Sequence, residues 1–307
     1  MKVFIDGAAG TTGLRIHERL ASRPDLELLT LPEELRKDPA ARAACMDRAD
    51  AVFLCLPDAA AIEAVDLVRS PWTVVIDTST AHRTSPGWTY GFPELPGQRE
   101  RIRTARRIAN PGCHASGFVA LVAPLVRAGV LSPDAALTCF SLTGYSGGGK
   151  KMIAEYEAAD RPALYEAPRQ YGLTQTHKHL PEMRVWCGLE NAPVFCPVVA
   201  PYYAGMEVTV PLFGGMVKGG VAAIREVYRE TYREGLIRFC ENADENGFLS
   251  AAAFAGRDDM QLTVAGNDDR VLLVARFDNL GKGASGAAIQ NLNLAFGLPE
   301  ATGLCAD

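Results

Sequence analysis

The chain has 307 residues, room for two domains with separate cores, and its 48% hydrophobic and 22% charged residues are the balance of an ordinary globular protein. A net charge of −5 argues against a nucleic-acid-binding surface, and no apolar run approaches the roughly 18 residues of a membrane-spanning helix. Met1-Lys2 runs straight into an apolar strand and a glycine loop with no secretory pattern. The expected location is therefore the cytoplasm, with reduced thiols.

Lys2-Val3-Phe4-Ile5-Asp6 reads as a buried strand, followed by Gly7-Ala8-Ala9-Gly10-Thr11-Thr12-Gly13 and a helix from Leu14 to Leu20. Strand, glycine loop and helix in that order form the context of a dinucleotide fingerprint, here in a G-x-x-G-x-x-G variant. Glycines let the backbone approach a pyrophosphate, and the helix N-terminus stabilises its charge. Leu26 to Leu29 is a second strand, Ala51 to Leu56 a third, and Val74 to Asp77 a fourth; Pro57-Asp58 opens a helix to Arg69. Short buried strands alternating with helices predict a doubly wound parallel sheet of Rossmann type. Strand two ends in Thr30-Leu31-Pro32-Glu33-Glu34, then Arg36-Lys37. The two cations favour NADP over NAD, near the extra phosphate.

Arg107-Ile108-Ala109 is another strand, then Asn110-Pro111-Gly112-Cys113, then an apolar helix-length run from Phe118 to Ala128. Cys113 thus lies at a helix mouth, where free N–H groups and the dipole favour a thiolate, the nucleophilic form. The other seven cysteines have no C-x-x-C spacing and read as small buried hydrophobes. Beyond this point the pattern changes. Ala136 to Tyr145 is strand-like and ends in Ser146-Gly147-Gly148-Gly149-Lys150-Lys151, with a polar helix from Met152 to Ala159. Strands follow over 194–199, 207–210, 261–264 and 271–277, the last two joined by the turn Gly266-Asn267-Asp268-Asp269, with a helix over 221–234 and a final helix over 283–296. A mixed or antiparallel sheet is expected there, making the whole chain α/β plus α+β.

Thr176-His177-Lys178-His179-Leu180-Pro181-Glu182 offers two histidines for acid–base work near neutral pH, with Glu182 able to orient one ring. Read as a strand, the segment puts His177 and His179 on one face, a two-ligand metal geometry lacking a third ligand, so no metal is expected. His114 is a second candidate for tuning Cys113, and Arg83 and Lys150 with Lys151 are candidate anion holders.

Taken together, six segments resemble the N-acetyl-γ-glutamyl-phosphate reductases of arginine biosynthesis in their shorter bacterial form, type 2. They are the 7–13 glycine loop, Tyr90-Gly91-Phe92-Pro93-Glu94-Leu95, Asn110-Pro111-Gly112-Cys113, Ser146-Gly147-Gly148-Gly149-Lys150, the His177–Glu182 segment and Asp278-Asn279-Leu280-Gly281-Lys282-Gly283-Ala284. Broader relatives are aspartate-semialdehyde dehydrogenase and glyceraldehyde-3-phosphate dehydrogenase. The resemblance implies that Cys113 displaces phosphate from an acyl phosphate and that the resulting thioester accepts hydride from NADPH. A histidine of the His177/His179 pair, His179 with Glu182 behind it, moves the proton. It also implies cofactor contacts at Gly7, Gly10, Thr11, Thr12, Gly13, Arg36, Lys37, Ser79 and Asn279. Substrate contacts are implied at Arg83, Asn110, Ser146, Gly147 and Lys150. The loop Asp77-Thr78-Ser79-Thr80-Ala81-His82-Arg83 departs from the D-L-S-A-D-F-R of the longer family form, though Arg83 is retained.

The implied domains are 1–113 plus 283–307 for NADP and a glyceraldehyde-3-phosphate-dehydrogenase-like 114–282 for catalysis and oligomerisation. The implied partners are a small-molecule substrate and a second copy of the chain as dimer or tetramer, with no nucleic acid and no membrane. Two other readings stand beside this one: a semialdehyde dehydrogenase for another acyl group, and an NADP-binding redox sensor without turnover.

Overall fold

In the computed structural model, residues 1–306 are described. The chain divides into two compact units, one formed by Met1–Pro93, Gly97–Pro111 and Ala284–Leu304, the other by Glu94–Pro96, Gly112–Gly283 and the residues from Cys305 on.

The first unit opens with β1 (Lys2–Asp6), α1 (Thr11–Ala21), β2 (Glu27–Leu29), α2 (Pro39–Arg48), β3 (Ala51–Leu54), α3 (Asp58–Leu67) and β4 (Val74–Asp77). It continues with β5 (Thr89–Tyr90), α4 (Gln98–Thr104) and β6 (Arg107–Ala109). All six strands pair in parallel, in the order β2-β1-β3-β4-β6-β5. Strand side chains alternate between faces. Val3, Ile5, Ala51, Phe53, Val74 and Ile76 join Ile16 and Leu20 of α1 in one core. Phe4, Val52, Leu54 and Val75 join Cys45 and Met46 of α2 in a second core on the other face. Both faces are thus covered, which is why these strands read as continuous apolar runs. The order reverses between β1 and β3, and the glycine loop leaves the carboxyl end of β1 at that switch point.

The second unit begins with α5 (Cys113–Arg127), then β7 (Thr138–Gly144), α6 (Gly149–Glu157), β8 (Arg169–Gln170), α7 (Leu180–Cys187), β9 (Val194–Ala200) and β10 (Met206–Phe213). It ends with α8 (Gly220–Thr231), β11 (Ile237–Phe239), β12 (Met260–Gly266) and β13 (Arg270–Phe277). The mixed sheet has the order β11-β12-β13-β10-β7-β9-β8. Helix α5 is buried from His114 to Leu125, the mark of a helix packed on every side. The hydroxyls of Tyr228 and Tyr232 on and after α8 donate to its Leu121 and Ala120 carbonyls. A π-type turn, Gly281–Ser285, then leads into α9 (Gly286–Ala295), whose Ile289 and Leu292 join the first core of the parallel-sheet unit.

Several expected elements are displaced. The final helix is a π turn followed by a shorter α-helix, and the polar helix starts at Gly149 rather than Met152. The helix expected over 221–234 stops at Thr231. Helix α2 escapes the sequence reading because its apolar stripe is weak, yet its cap is legible: Asp38 accepts the Ala41 N–H and Pro39 occupies the first helical position. The edge strands β5, β8 and β11 are too short to show a period.

Gly117 of α5 meets the sheet where a Cβ would lie 2.5 Å from Val208 Cγ2 and 2.9 Å from Phe277 Cε1. Gly117→Ala is expected to cost about 1–3 kcal/mol of stability through overpacking, read as a lower urea midpoint. An unchanged midpoint would mean the sheet yields at this contact.

Candidate active site

In the first unit, Gly7 adopts φ +84°, and a Cβ there would lie 2.3 Å from the Cys55 carbonyl oxygen. Only glycine fits. A Cβ on Gly13 would meet the Gly7 carbonyl oxygen at 2.5 Å. Gly10 caps α1 without a side chain. In the first turn, the Thr11 hydroxyl is buried with no hydrogen-bond partner among the described residues. Bare first-turn amides, a loop with no room for side chains and an orphaned hydroxyl suit a pyrophosphate, so the residues present fit a dinucleotide. Arg36 and Lys37 are exposed after a 3-10 turn over Glu33–Leu35. The sequence reading missed another cation: Arg42 of α2 donates through Nη2 to the buried Asp6 carboxylate at 2.7 Å, at the end of β1. The signal was available, since an acid closing a buried strand needs a partner.

At the end of β4 the buried Asp77 accepts from the Ser79 N–H at 2.9 Å and the Ser79 hydroxyl at 2.8 Å. His82 Nδ1 lies 2.6 Å from Oδ2, the oxygen that also takes the Ser79 hydroxyl, with the imidazole stacked on Trp88 at 4.0 Å. Arg83 donates to the carbonyls of Asn110, at 2.9 Å, and Thr78, at 3.1 Å. Asn110 donates to the Ala284 carbonyl and accepts from Asn291, each at 3.1 Å. Arg83 and Asn110 therefore brace the segment that leads to the thiol.

In the second unit, Cys113 is the first residue of α5, with Gly112 as its cap. A Cβ on Gly283 would lie 2.9 Å from the Cys113 Cβ. The buried Glu182 accepts the Gly112 N–H at 2.9 Å. His114 is buried; its Nδ1 lies 2.7 Å from Ser141 Oγ and its Nε2 2.7 Å from Tyr171 Oη. Burial, with the His177 charge adding to it, pushes its pKa down to about 3, so the ring is neutral. The rings of His177 and His179 lie 5.8 and 5.6 Å from that of His114 and 4.8 Å from each other.

The strand face weighed for these two histidines is not formed. They sit in a turn, His179 caps α7, and its N–H donates to His177 Nδ1 at 3.2 Å. The proline and glutamate after His179 start a helix, which removes the two-residue period. Among the described residues no group of three His, Cys, Asp or Glu is placed to hold a metal.

Asn279 ties Ser146 to the neighbouring loop, donating to its hydroxyl at 3.0 Å and accepting the Gly205 N–H at 2.9 Å. Gly147 follows Ser146 in the same turn, and Lys150 sits exposed in the first turn of α6. Sequence reasoning missed Ser141, Tyr171 and the buried Lys282–Glu94 pair at 2.7 Å. A lysine inside an apolar, glycine-rich stretch was the available signal for the last. Burial pushes the Cys55 thiol up to about 12 and raises Cys45, Cys139 and Cys187 as well; the expectation of seven buried thiols holds fully for Cys45, Cys139 and Cys187 only, since Cys55, Cys196 and Cys240 are half-buried and Cys305 is exposed.

A glycine loop in a parallel-sheet unit and a cysteine at the mouth of a buried helix in a mixed-sheet unit define a class, and the family models agree with it. Residues 2–105 match the semialdehyde dehydrogenase NAD binding domain and residues 113–279 the semialdehyde dehydrogenase dimerisation domain. A solved aspartate semialdehyde dehydrogenase II from Vibrio cholerae superposes with a TM-score of 0.72 at 18% identity, over 96% of this chain and 98% of that one. Among curated proteins, N-acetyl-gamma-glutamyl-phosphate reductase 2 of Nostoc sp. is 44% identical, over 99% of both chains. The N-acetyl-gamma-glutamyl-phosphate reductase of Brucella ovis is 46% identical, over 96% of this chain and 99% of that one. The chain belongs to the semialdehyde dehydrogenase family and, within it, to the family of the N-acetyl-gamma-glutamyl-phosphate reductases.

The buried neutral His114 makes a pH prediction. Unfolded, the ring takes a proton near 6.5; folded, it resists until about 3. Between those values the unfolded chain binds more protons, so acid removes stability by up to about 1.4 kcal/mol per pH unit. The stability margin of the parent over His114→Gln, from urea titrations at pH 7, 6, 5 and 4, is expected to shrink accordingly. A constant margin would mean the ring is not held neutral by burial.

Proposed function

We propose that the protein reduces N-acetyl-L-glutamyl 5-phosphate to N-acetyl-L-glutamate 5-semialdehyde with NADPH, releasing phosphate. The observation that carries the proposal is Cys113 at the first position of a buried helix, with the His177/His179 pair in the same cluster. The names of relatives 44–46% identical over nearly the whole chain support the choice of acyl group.

The Cys113 thiolate attacks the acyl carbon, the bond from that carbon to the phosphate oxygen breaks, and phosphate leaves with its electron pair. A thioester remains on the sulfur. NADPH, when bound, supplies the hydride that reduces it. The oxyanion so formed takes a proton from a histidine of the pair, His179 in our assignment, and the same ring takes that proton back as the carbon–sulfur bond breaks, releasing the aldehyde and returning the thiolate. Glu182, on α7, takes the Gly112 N–H and so ties the start of α5 to the helix that His179 caps.

The domain assignment is 1–113 plus 283–307 for NADP and 114–282 for catalysis and oligomerisation. Gly7, Gly10, Thr11, Thr12 and Gly13 hold the pyrophosphate, and Arg36 with Lys37 meets the extra phosphate. Ser79 and Asn279 shape the nicotinamide end. Ser146, Gly147 and Lys150 receive the substrate's anionic end, and Arg83 and Asn110 act through the segment they brace. The mixed sheet leaves Phe140, Phe213 and Leu272 exposed on one face, and a second copy of the chain covers that face in a homo-oligomer. A free thiolate at work fits the reducing cytoplasm.

Cys113→Ser is expected to keep the far-UV spectrum and NADPH affinity while lowering phosphate-dependent turnover by more than about a thousandfold. Near-parental turnover would refute the thioester route. Run in reverse with NADP and phosphate, N-acetylglutamate semialdehyde is expected to outpace aspartate semialdehyde by at least about a hundredfold. Equal rates would favour a dehydrogenase for another acyl group. At equal concentration NADPH is expected to outperform NADH, and the opposite order would remove Arg36 and Lys37 from the cofactor site.

A further inference from the structure

The buried Lys282–Glu94 pair takes no part in the transfer of the acyl group, the hydride or the proton. Lys282 Nζ and Glu94 Oε1 lie 2.7 Å apart, and both side chains are 1% exposed. Pairs such as Arg276–Glu245 and Arg257–Asp259 differ, each keeping one side chain toward water, at 48% and 31%. Taking two charges out of water costs nearly as much as their attraction returns, so a well-packed apolar pair would serve stability as well or better. What a buried ion pair supplies instead is a single seat, because an ammonium in the interior is tolerable only against its carboxylate.

The segment seated in this way is the turn that touches the thiol. Lys282 stands between two glycines that have no room for a side chain. A Cβ on Gly281 would overlap the Arg257 carbonyl oxygen, and one on Gly283 would lie 2.9 Å from the Cys113 Cβ and 3.3 Å from Phe277 Cε2. Asp278 anchors the near end of the turn. Its Oδ1 accepts the Leu280 N–H at 2.7 Å and the Gly281 N–H at 3.3 Å, and its carbonyl accepts the Gly283 N–H at 2.9 Å. Residues Gly281–Ser285 then wind as a π turn, a form that recurs at functional sites. The second anchor comes from far along the chain: Lys282 reaches Glu94, 188 residues away. Between the two anchors Gly283 stands against the Cys113 Cβ, so the sulfur cannot rotate to that side and fewer staggered positions remain to it.

We propose that Lys282 and Glu94 are positioning residues for the nucleophile: their pair seats the turn so that Gly283 closes one side of Cys113 and holds its sulfur in the attacking rotamer. The proposal rests on Cys113 as the nucleophile. It gives the pair a geometric role, because the ammonium is matched by its own carboxylate and the thiolate is left to the helix mouth. A misplacement of about 1 Å at a reacting atom costs on the order of a hundredfold in rate, which sets the size of the expected effect.

The test replaces both charges at once. Lys282→Met or Glu94→Gln alone strands a buried charge and is expected to destabilise the fold severely. Glu94→Leu combined with Lys282→Met puts apolar side chains of similar size in place of the pair, and is expected to keep the parental urea midpoint and NADPH affinity. Turnover is followed in reverse, with N-acetylglutamate semialdehyde, NADP and phosphate. In the double variant kcat is expected to fall about a hundredfold, with the KM for the semialdehyde within about threefold of the parent. The pH of half-maximal Cys113 alkylation by iodoacetamide, read by mass spectrometry of the Cys113 peptide, is expected to stay at the parental value, because the net charge around the thiol is unchanged. A parental kcat in the folded double variant overturns the proposal alone. An alkylation profile displaced by about one pH unit makes the pair an electrostatic device and overturns the proposal as well. Near-parental turnover in Cys113→Ser overturns the nucleophile reading and the proposal together. If the double variant does not fold, Gly283→Ala is read in the same assay: the added methyl meets the Cys113 Cβ, and a parental kcat there overturns the proposal.

Discussion

The second unit is organised by the need to finish a helix that is buried on every side. Helix α5 runs through the core from His114 to Leu125, and the N–H groups at its start have no carbonyl of their own helix to bond. Gly112 caps it without a side chain, and its N–H goes to Glu182, at the start of another helix. That one bond ties α5 to α7, and α7 is the helix capped by His179. The same burial turns His114 into a neutral link with hydrogen bonds on both nitrogens. Cys113, half-buried, opens this helix, where the first amides have no carbonyl of their own helix to bond. Its chemistry and its surroundings therefore have a common origin, the satisfaction of a buried helix end.

The first unit solves a different problem with the same physics. Six parallel strands leave their carboxyl ends on one edge, and the order reverses between β1 and β3. A helix beginning directly after β1 must turn sharply, and the Cys55 carbonyl stands where a side chain on Gly7 would be. The turn can thus be made only by glycine, and what it exposes is amide backbone at a helix N-terminus. The loop between β4 and β5 is built outward from a buried carboxylate: Asp77 gathers Ser79 and His82, while Arg83 reaches back to the Asn110 carbonyl. The departure of this loop from the longer family form is therefore not a loss of order. His82 supplies Asp77 with a partner inside the loop itself.

The contrast among the thiols follows from burial. Cys55, Cys139 and Cys187 sit in cores that penalise a charge, and their pKa values rise. Cys113 is only half-buried and opens a helix. Cys55, Cys196 and Cys240 are half-buried too and Cys305 is exposed, so what sets Cys113 apart from them is its place at the mouth of a helix.

Much of this was legible in the residues. The apolar strands, the glycine loop and the helix after Asn110-Pro111-Gly112-Cys113 are local patterns, because strand periodicity, glycine content and helix-mouth position depend on neighbours in sequence. Cys113 and the His177/His179 pair could be singled out on residue chemistry for the same reason. The strand face weighed for those histidines does not form, because His179 itself caps α7 and sets their backbone. What no local pattern carried was pairing at a distance. Ser141 and Tyr171 are ordinary residues in sequence, 27 and 57 positions from His114. Arg42 finds Asp6 across 36 residues, and Lys282 finds Glu94 across 188. Sequence alone determined which groups can do the chemistry. Only the tertiary structure decided which of them meet, because burial compels each polar group to find a partner wherever the folded chain brings one near.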